Sequence, residues 1–233
     1  MDHVHRVKVA PGERSKGYHN WTEQEIAVYR DRHAVGTVAR LAMELVLWTD
    51  QRGIDSMHLG RQHIKNGRFE ITQSKTGKVL IIPIAPQLLA AIVAMARSRN
   101  NMCFVLSEWN RPYSRKGFGN KFRQWCDEAG LTHCAAHGLR KATMRRMADL
   151  QLPNKSMKSV SGHSKDEEVA RYTEAADQER LARSAIQSVS DWEANPPPES
   201  EDAMAKAVME ALAKWDSDDL MSNPSPRLDI RPA

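Results

Sequence analysis

The run Ala-Ala-His-Gly-Leu-Arg-Lys-Ala carries His137 and Arg140, Ser-Gly-His-Ser carries His163, and Val-Ala-Arg-Tyr-Thr carries Tyr172 nine residues beyond that histidine. A histidine and an arginine three apart at a helix start can face the same way. The free N–H groups of that first turn favour an anion, so a phosphate oxygen fits between the two side chains. A phenol among such cationic and imidazole groups suits attack on a phosphodiester without a metal. Two further positions carry compatible chemistry. Arg52 stands in Thr-Asp-Gln-Arg-Gly-Ile-Asp, just past an apolar segment ending at Trp48, and Asp55 three residues on can orient its guanidinium or cap a helix. Lys75 occupies the tip of a hairpin. Taken singly, each residue also has an ordinary reading: His137 as a cap, Arg140 and Lys75 as solvated side chains, Arg52 with Asp55 as a surface ion pair, His163 as structural, Tyr172 as a core phenol.

The elements that must position these residues follow from pattern. Thr22 and Glu25 form a capping-box signature, which predicts a helix over about 23–32, and Leu41, Leu45 and Trp48 recur at helical spacing in a second over about 35–48. These two are expected to pack as a hairpin. A short helical turn around 51–57 precedes three candidate strands at 58–64, 68–73 and 78–82. Ser-Lys-Thr-Gly joins the last two, with a glycine suited to a tight turn, and Pro83 ends the ladder because it has no N–H to give. Helices are expected at about 86–97, 115–129, 138–150, 155–160 and 167–191, the last broken near Tyr172. After Asn195 a Pro-Pro-Pro-Glu spacer leads to an amphipathic helix over 201–215, with Met204, Val208, Ala211, Leu212 and Trp215 on its apolar face, and then to a polar tail expected to be disordered. The division is therefore a basic N-terminal arm (1–20), one catalytic-sized domain (21–192) and a C-terminal segment (193–233). Its fold class is mainly α with a small antiparallel three-stranded sheet.

Composition sets outer limits. Lys and Arg outnumber Asp and Glu by 34 to 29, a surplus compatible with a polyanionic partner but not diagnostic of one. Its distribution is uneven: Arg111, Arg115, Lys116, Lys121 and Arg123 crowd one segment, which predicts a basic face. Cys103, Cys126 and Cys134 are odd in number and lack paired CxxC spacing, so the spacing indicates neither a disulfide framework nor a structural metal, and a reducing cytoplasm is the expected compartment. No apolar stretch approaches the roughly 18 residues that span a bilayer.

The order and spacing of these positions resemble the catalytic domain of the tyrosine recombinases, the phage-type integrases. That family places an arginine and an acidic residue after its second helix, a lysine in a β-hairpin, a His-x-x-Arg box, a histidine in a Gly-His context and a nucleophilic tyrosine. The matching positions are Arg52 with Asp55, Lys75, His137 with Arg140, His163 and Tyr172, and the likeness covers about residues 21–190. It implies a site-specific recombinase that cleaves and rejoins double-stranded DNA through a 3′-phosphotyrosyl intermediate, without metal or cofactor. Tyr172 would be the nucleophile, Arg52 and Arg140 the phosphate clamps, Lys75 the general acid and the histidines proton-transfer partners, with Asp55 supporting Arg52. It also implies self-association to a tetramer on DNA through the C-terminal segment.

Two positions depart from the pattern. Asp50 replaces the glycine common two residues before the arginine, where a carboxylate would oppose the arginines' field unless it points away or pairs with one of them. Gly53 replaces a bulky or basic residue. In addition, 20 residues precede Trp21, where the family usually carries a helical DNA-clamping domain, an arrangement that predicts weaker DNA affinity. The alternative reading is a catalytically weak or inactive DNA-binding remnant of such an enzyme.

Overall fold

A computed structural model of the chain describes residues 17–95, 101–173, 178–194 and 202–222. The first helix, α1 (Glu23–Arg32), starts as its sequence dictates: the Thr22 hydroxyl accepts from the Glu25 N–H at 3.2 Å and the Glu25 carboxylate accepts from the Thr22 N–H at 2.7 Å. Ahead of it, Tyr18 to Asn20 run against a later helix rather than standing off as a free arm, and the Lys141 ammonium donates to the Tyr18 carbonyl at 2.6 Å. Residues 1–16 of the expected arm lie outside the described residues.

Helix α2 (Val38–Thr49) is apolar nearly all round, which marks a helix buried on every side. Its one carboxylate is nevertheless satisfied. Glu44, 1% exposed, accepts from Arg30 at 2.8 and 2.9 Å, from Arg40 at 2.6 Å and from the Trp48 indole at 2.8 Å. A buried charge held by two guanidinium groups ties α1 to α2, as the expected hairpin requires. Around α2 pack α4 (Pro86–Val93), α5 (Arg115–Glu128), α6 (Ala136–Asp149) and the short α3 (Gly53–Met57).

The sheet is β1 (Ile64–Lys65), β2 (Arg68–Thr72) and β3 (Val79–Pro83), antiparallel in the order β1-β2-β3. Phe69 opposite Ile82 and Ile71 opposite Leu80 point into the core, and the residues between them face outward, as period-two alternation demands. The last ladder pair is Arg68 with Pro83. The first strand is much shorter than the 58–64 expected. The Leu59 carbonyl instead accepts from Phe104 at 2.8 Å, a Cβ on Gly60 would lie 1.9 Å from the Met102 carbonyl oxygen, and Arg61–His63 curl into a 3₁₀ turn.

The remaining elements are α7 (Asn154–Ser161), α8 (Asp166–Thr173), α9 (Gln178–Ala194) and α10 (Asp202–Ser222). The break expected near Tyr172 falls on the stretch between α8 and α9, residues 174–177, which lie outside the described residues. Helix α4 stops at Val93, and the rest of the expected 86–97 helix beyond Met95 lies outside the described residues. Helix α10 runs seven residues past the expected 215. Val208, Leu212 and Trp215 bury their side chains in the chain's own main core, against α4 and beside the β1–β2 turn, where the Ala205 backbone leaves no room for a Cβ on Gly67. The Met204 side chain and the tail after Ser222 lie outside the described residues. No described helix is long and apolar enough to cross a membrane.

Candidate active site

Arg52 is the N-cap residue of α3, and the loop that carries it begins with a reversal. Asp50 closes α2 in a left-handed conformation, φ 50° and ψ 25°, a geometry that favours glycine but that aspartate tolerates better than most residues. Gly53 then lets α5 approach: a Cβ there would sit 3.0 Å from the Phe118 ring, so that ring fills space a larger residue would need.

Asp55 links the arginine to the hairpin. Its Oδ2 lies 3.7 Å from Arg52 Nη1, and its Oδ1 accepts from the Ser74 N–H at 3.0 Å, next to Lys75. Arg52 Nη1 is buried and makes no hydrogen bond within the protein, which suits it to an incoming oxyanion. The hairpin tip is closed by Gly77 (φ 67°), whose N–H donates to the Gln73 carbonyl, and by the Thr76 hydroxyl, which donates to Gln73 Oε1.

Arg52, Lys75 and His137 line one cleft of about 810 Å³ together with Tyr18, Arg115 and Arg123; no acidic side chain is among its described lining residues. The basic face expected from the 111–123 segment is thus turned partly into this cleft, through α5. Such a one-signed lining concentrates polyanions.

Helix α6 begins at Ala136, so His137 and Arg140 occupy its first turns, as expected from their spacing. The Tyr18 ring tilts onto the imidazole with centroids 4.7 Å apart. Burial, reinforced by Arg140, Lys141 and Arg52, lowers the pKa of His137 below its ordinary 6.5, so at neutral pH the ring is an uncharged donor or acceptor. Gly138 is forced by packing, because a Cβ there would lie 2.1 Å from the His19 carbonyl oxygen.

Arg140 does not line the cleft; its guanidinium reaches back to the loop ahead of Arg52. Its Nε donates to the Asp50 carbonyl at 2.6 Å and lies 3.4 Å from Asp50 Oδ1. Asp50 is wholly buried and neither carboxylate oxygen accepts a hydrogen bond within the protein. Burial pushes its carboxyl up to about 7, against the pull of Arg140 and Arg52. The odd carboxylate of the sequence is therefore turned toward one of the two arginines, and it is only partly ionised near neutrality.

His163 follows α7, whose C-cap, Gly162, is left-handed (φ 76°). The Ser161 hydroxyl donates to the Met157 carbonyl, and its oxygen lies 2.8 Å from His163 Nδ1. Two glutamines hold this turn against the arginine loop. Gln73 Nε2 donates to Gln51 Oε1 at 2.8 Å and to the Ser161 carbonyl at 3.1 Å, and Gln51 Nε2 donates to the Val160 carbonyl at 3.0 Å. Neither glutamine stood out in the sequence. For Gln73 a signal existed, since it continues the inward alternation of Phe69 and Ile71; for Gln51 there was none.

Tyr172 lies on α8, half-buried against Met144, Ala148, Met157 and Val169 in a small cluster of α6, α7 and α8. Neither it nor His163 lines the cleft. The structure thus gathers Arg52, Asp55, Lys75 and His137 directly, joins Arg140 to them through the Asp50 loop and His163 through the glutamines, and seats Tyr172 on the helices next to them.

The domain is mainly helical with a three-stranded sheet, and it holds a cation-lined cleft where α3, the hairpin, α5 and α6 meet. The sequence profile of the Phage integrase family matches residues 22–179, and the chain belongs to that family. It is 26% identical over 165 residues to the integrase of Escherichia phage HK022, covering 66% of this chain and 46% of that protein. Its fold resembles that of a lambda integrase dimer bound to a COC′ core site (TM-score 0.57, 23% identity, 67% of this chain and 47% of that one). It also resembles the Tn1549 transposon integrase in complex with circular intermediate DNA (TM-score 0.60, 16% identity, 74% and 66%). The chain spans a little under half the length of the HK022 integrase and of the lambda integrase chain in that dimer.

Proposed function

We propose that this chain is the catalytic domain of a site-specific recombinase that cleaves and rejoins double-stranded DNA through Tyr172. The observation that carries the reading is the convergence of Arg52, Lys75 and His137 on a cleft with no acidic side chain among its described lining residues, within a chain of the Phage integrase family. The Tyr172 oxygen attacks the scissile phosphorus, forming a 3′-phosphotyrosyl bond and releasing the 5′-oxygen. The bond energy is kept in the covalent intermediate, so rejoining by the reverse step needs no nucleotide cofactor. Arg52 and Arg140 neutralise the non-bridging oxygens as charge builds on them. His163 assists transfer of the phenolic proton, whose free pKa near 10 otherwise leaves tyrosine a weak nucleophile. His137 hydrogen-bonds the phosphate in its neutral form, Asp55 orients Arg52, and Lys75 protonates the leaving 5′-oxygen.

The enzyme acts on DNA as a tetramer, in the cytoplasm. Ile186, Val189 and Trp192 on α9 are more than half exposed and follow one another at helical spacing, which supports a subunit contact at the C-terminal end of the catalytic unit. The domain limits are those of the sequence, with 21–192 as the catalytic unit and 193–233 as linker, helix and tail.

Asp50 favours a second reading, a catalytically weak or inactive DNA-binding remnant of such an enzyme, because its buried carboxyl faces the guanidinium that should face phosphate. Covalent trapping separates the two. The protein is incubated with nicked duplexes carrying candidate recombination sites in EDTA, denatured, and analysed for a DNA-linked band. An adduct lost in Tyr172→Phe supports the enzyme. An adduct seen only with Asp50→Gly supports a catalytically weak protein, and none from either protein on any site would sink the enzyme reading and favour the inactive remnant.

A further inference from the structure

Four residues before His137, outside the cleft, His133 and Cys134 lie on the loop that leads into α6, facing the segment that enters α1. His19 Nε2 stands 2.9 Å from both oxygens of Glu25, and His133 Nε2 stands 2.5 Å from Glu25 Oε1. The two imidazole rings meet edge to face with centroids 4.6 Å apart. One donor atom from each of His19, Glu25, His133 and Cys134 lies within 4.8 Å of all the others, and the thiol is fully buried at the base of the group. A simple ion pair calls for one imidazole edge on a carboxylate. Two edges converging on the same oxygen, beside an inward thiol, form the mixed nitrogen, oxygen and sulfur donor set that suits borderline-soft divalent ions.

We propose that His19, Glu25, His133 and Cys134 bind a zinc-class divalent transition metal ion, which clips the 17–21 segment to the loop ahead of α6. Tetrahedral coordination at ordinary zinc bond lengths sets donor atoms about 3.3–3.6 Å apart. The closest contacts need only open slightly and the widest close by roughly 1 Å to reach it. Glu25 is built for the double task. Oε1 faces both histidines, while Oε2 keeps the Thr22 N–H and so preserves the cap of α1. On binding, the Cys134 thiol gives its proton to solvent and the ion displaces the histidine-to-carboxylate contacts. The ion takes no part in strand transfer. Its effect is positional, since His19 is next to Tyr18, which packs on His137, and the His19 carbonyl abuts Gly138.

The test is optical titration of the full chain, freed of metal by a chelator, with Co(II). The expected result is one ion per chain with the visible bands of tetrahedral cobalt and a near-ultraviolet thiolate band. His133→Ala should weaken binding at least about tenfold, and Cys134→Ala should abolish the thiolate band. His3→Ala with His5→Ala should change nothing. Zn(II) should displace the cobalt and slow amide exchange in residues 17–21. His133 is an exposed side chain, so its variant folds whether or not Cys134→Ala does. No tetrahedral bands with excess Co(II), or a Co(II) affinity unchanged in His133→Ala, would show that the cluster is not a metal site. Because the readout is binding, it stands whatever the trapping experiment on Tyr172 returns.

Discussion

Asp50 is the residue at which sequence and site are most at odds, and its environment makes the conflict measurable. Its carboxyl is pushed up to about 7 by burial, from an ordinary 3.8. Between those two values the unfolded chain gives up the proton and the folded chain keeps it. The folded state therefore binds more protons, and stability falls as pH rises through the window. Asp50→Asn keeps the shape and tolerates the left-handed backbone. It is expected to flatten that slope and to raise stability at pH 7 on the order of a few kcal/mol, read from urea midpoints at a series of pH values. At this scale short local spacing and near neighbours pointed to Arg52, Lys75 and His137, which line one cleft, but not to the turn of Arg140 back onto Asp50. Gln51 and Gln73 were not legible, because each finds its partners far along the chain, and a polar side chain carries no sign of what it will meet there.

Elements were legible where a local signal fixes them. The capping box starts α1 where expected, and the Ser-Lys-Thr-Gly turn joins β2 to β3. The 58–64 strand failed because Leu59 bonds to Phe104, across a separation that no local pattern reports. The entry to α6 is set by a packing constraint rather than by a cap, since Ala135 offers no side-chain acceptor. The Trp21 indole donates to the Ala135 carbonyl at 3.0 Å, and Gly138 admits the His19 backbone. Gly138→Ala, although it raises intrinsic helix propensity, is therefore expected to destabilise the fold by about 1–3 kcal/mol through overpacking. It should also separate Tyr18 from His137, which chemical denaturation and the ring-proton shifts of His137 would register together.

Across the whole molecule, the main core extends from Trp21 near one end of the described chain to Trp215 near the other. Sequence periodicity marked the apolar face of α10 but not its seat, because an amphipathic stripe has no address. The structure seats it in cis, with the Arg61 guanidinium 5.8 Å from the Trp215 ring centroid. Trp215→Ala is expected to cost about 3–5 kcal/mol, measured as a lowered thermal midpoint, and a protein in which α10 contributed nothing to its own domain would not respond. This seating also orders events during synthesis. Ile92 on α4 leaves the ribosome about 120 residues before Trp215, roughly 6–25 s at ordinary elongation rates. Over that interval the nascent domain presents an open apolar trough, so its last wall arrives only after every residue of the cleft has been translated, and a chaperone has that long to occupy the gap.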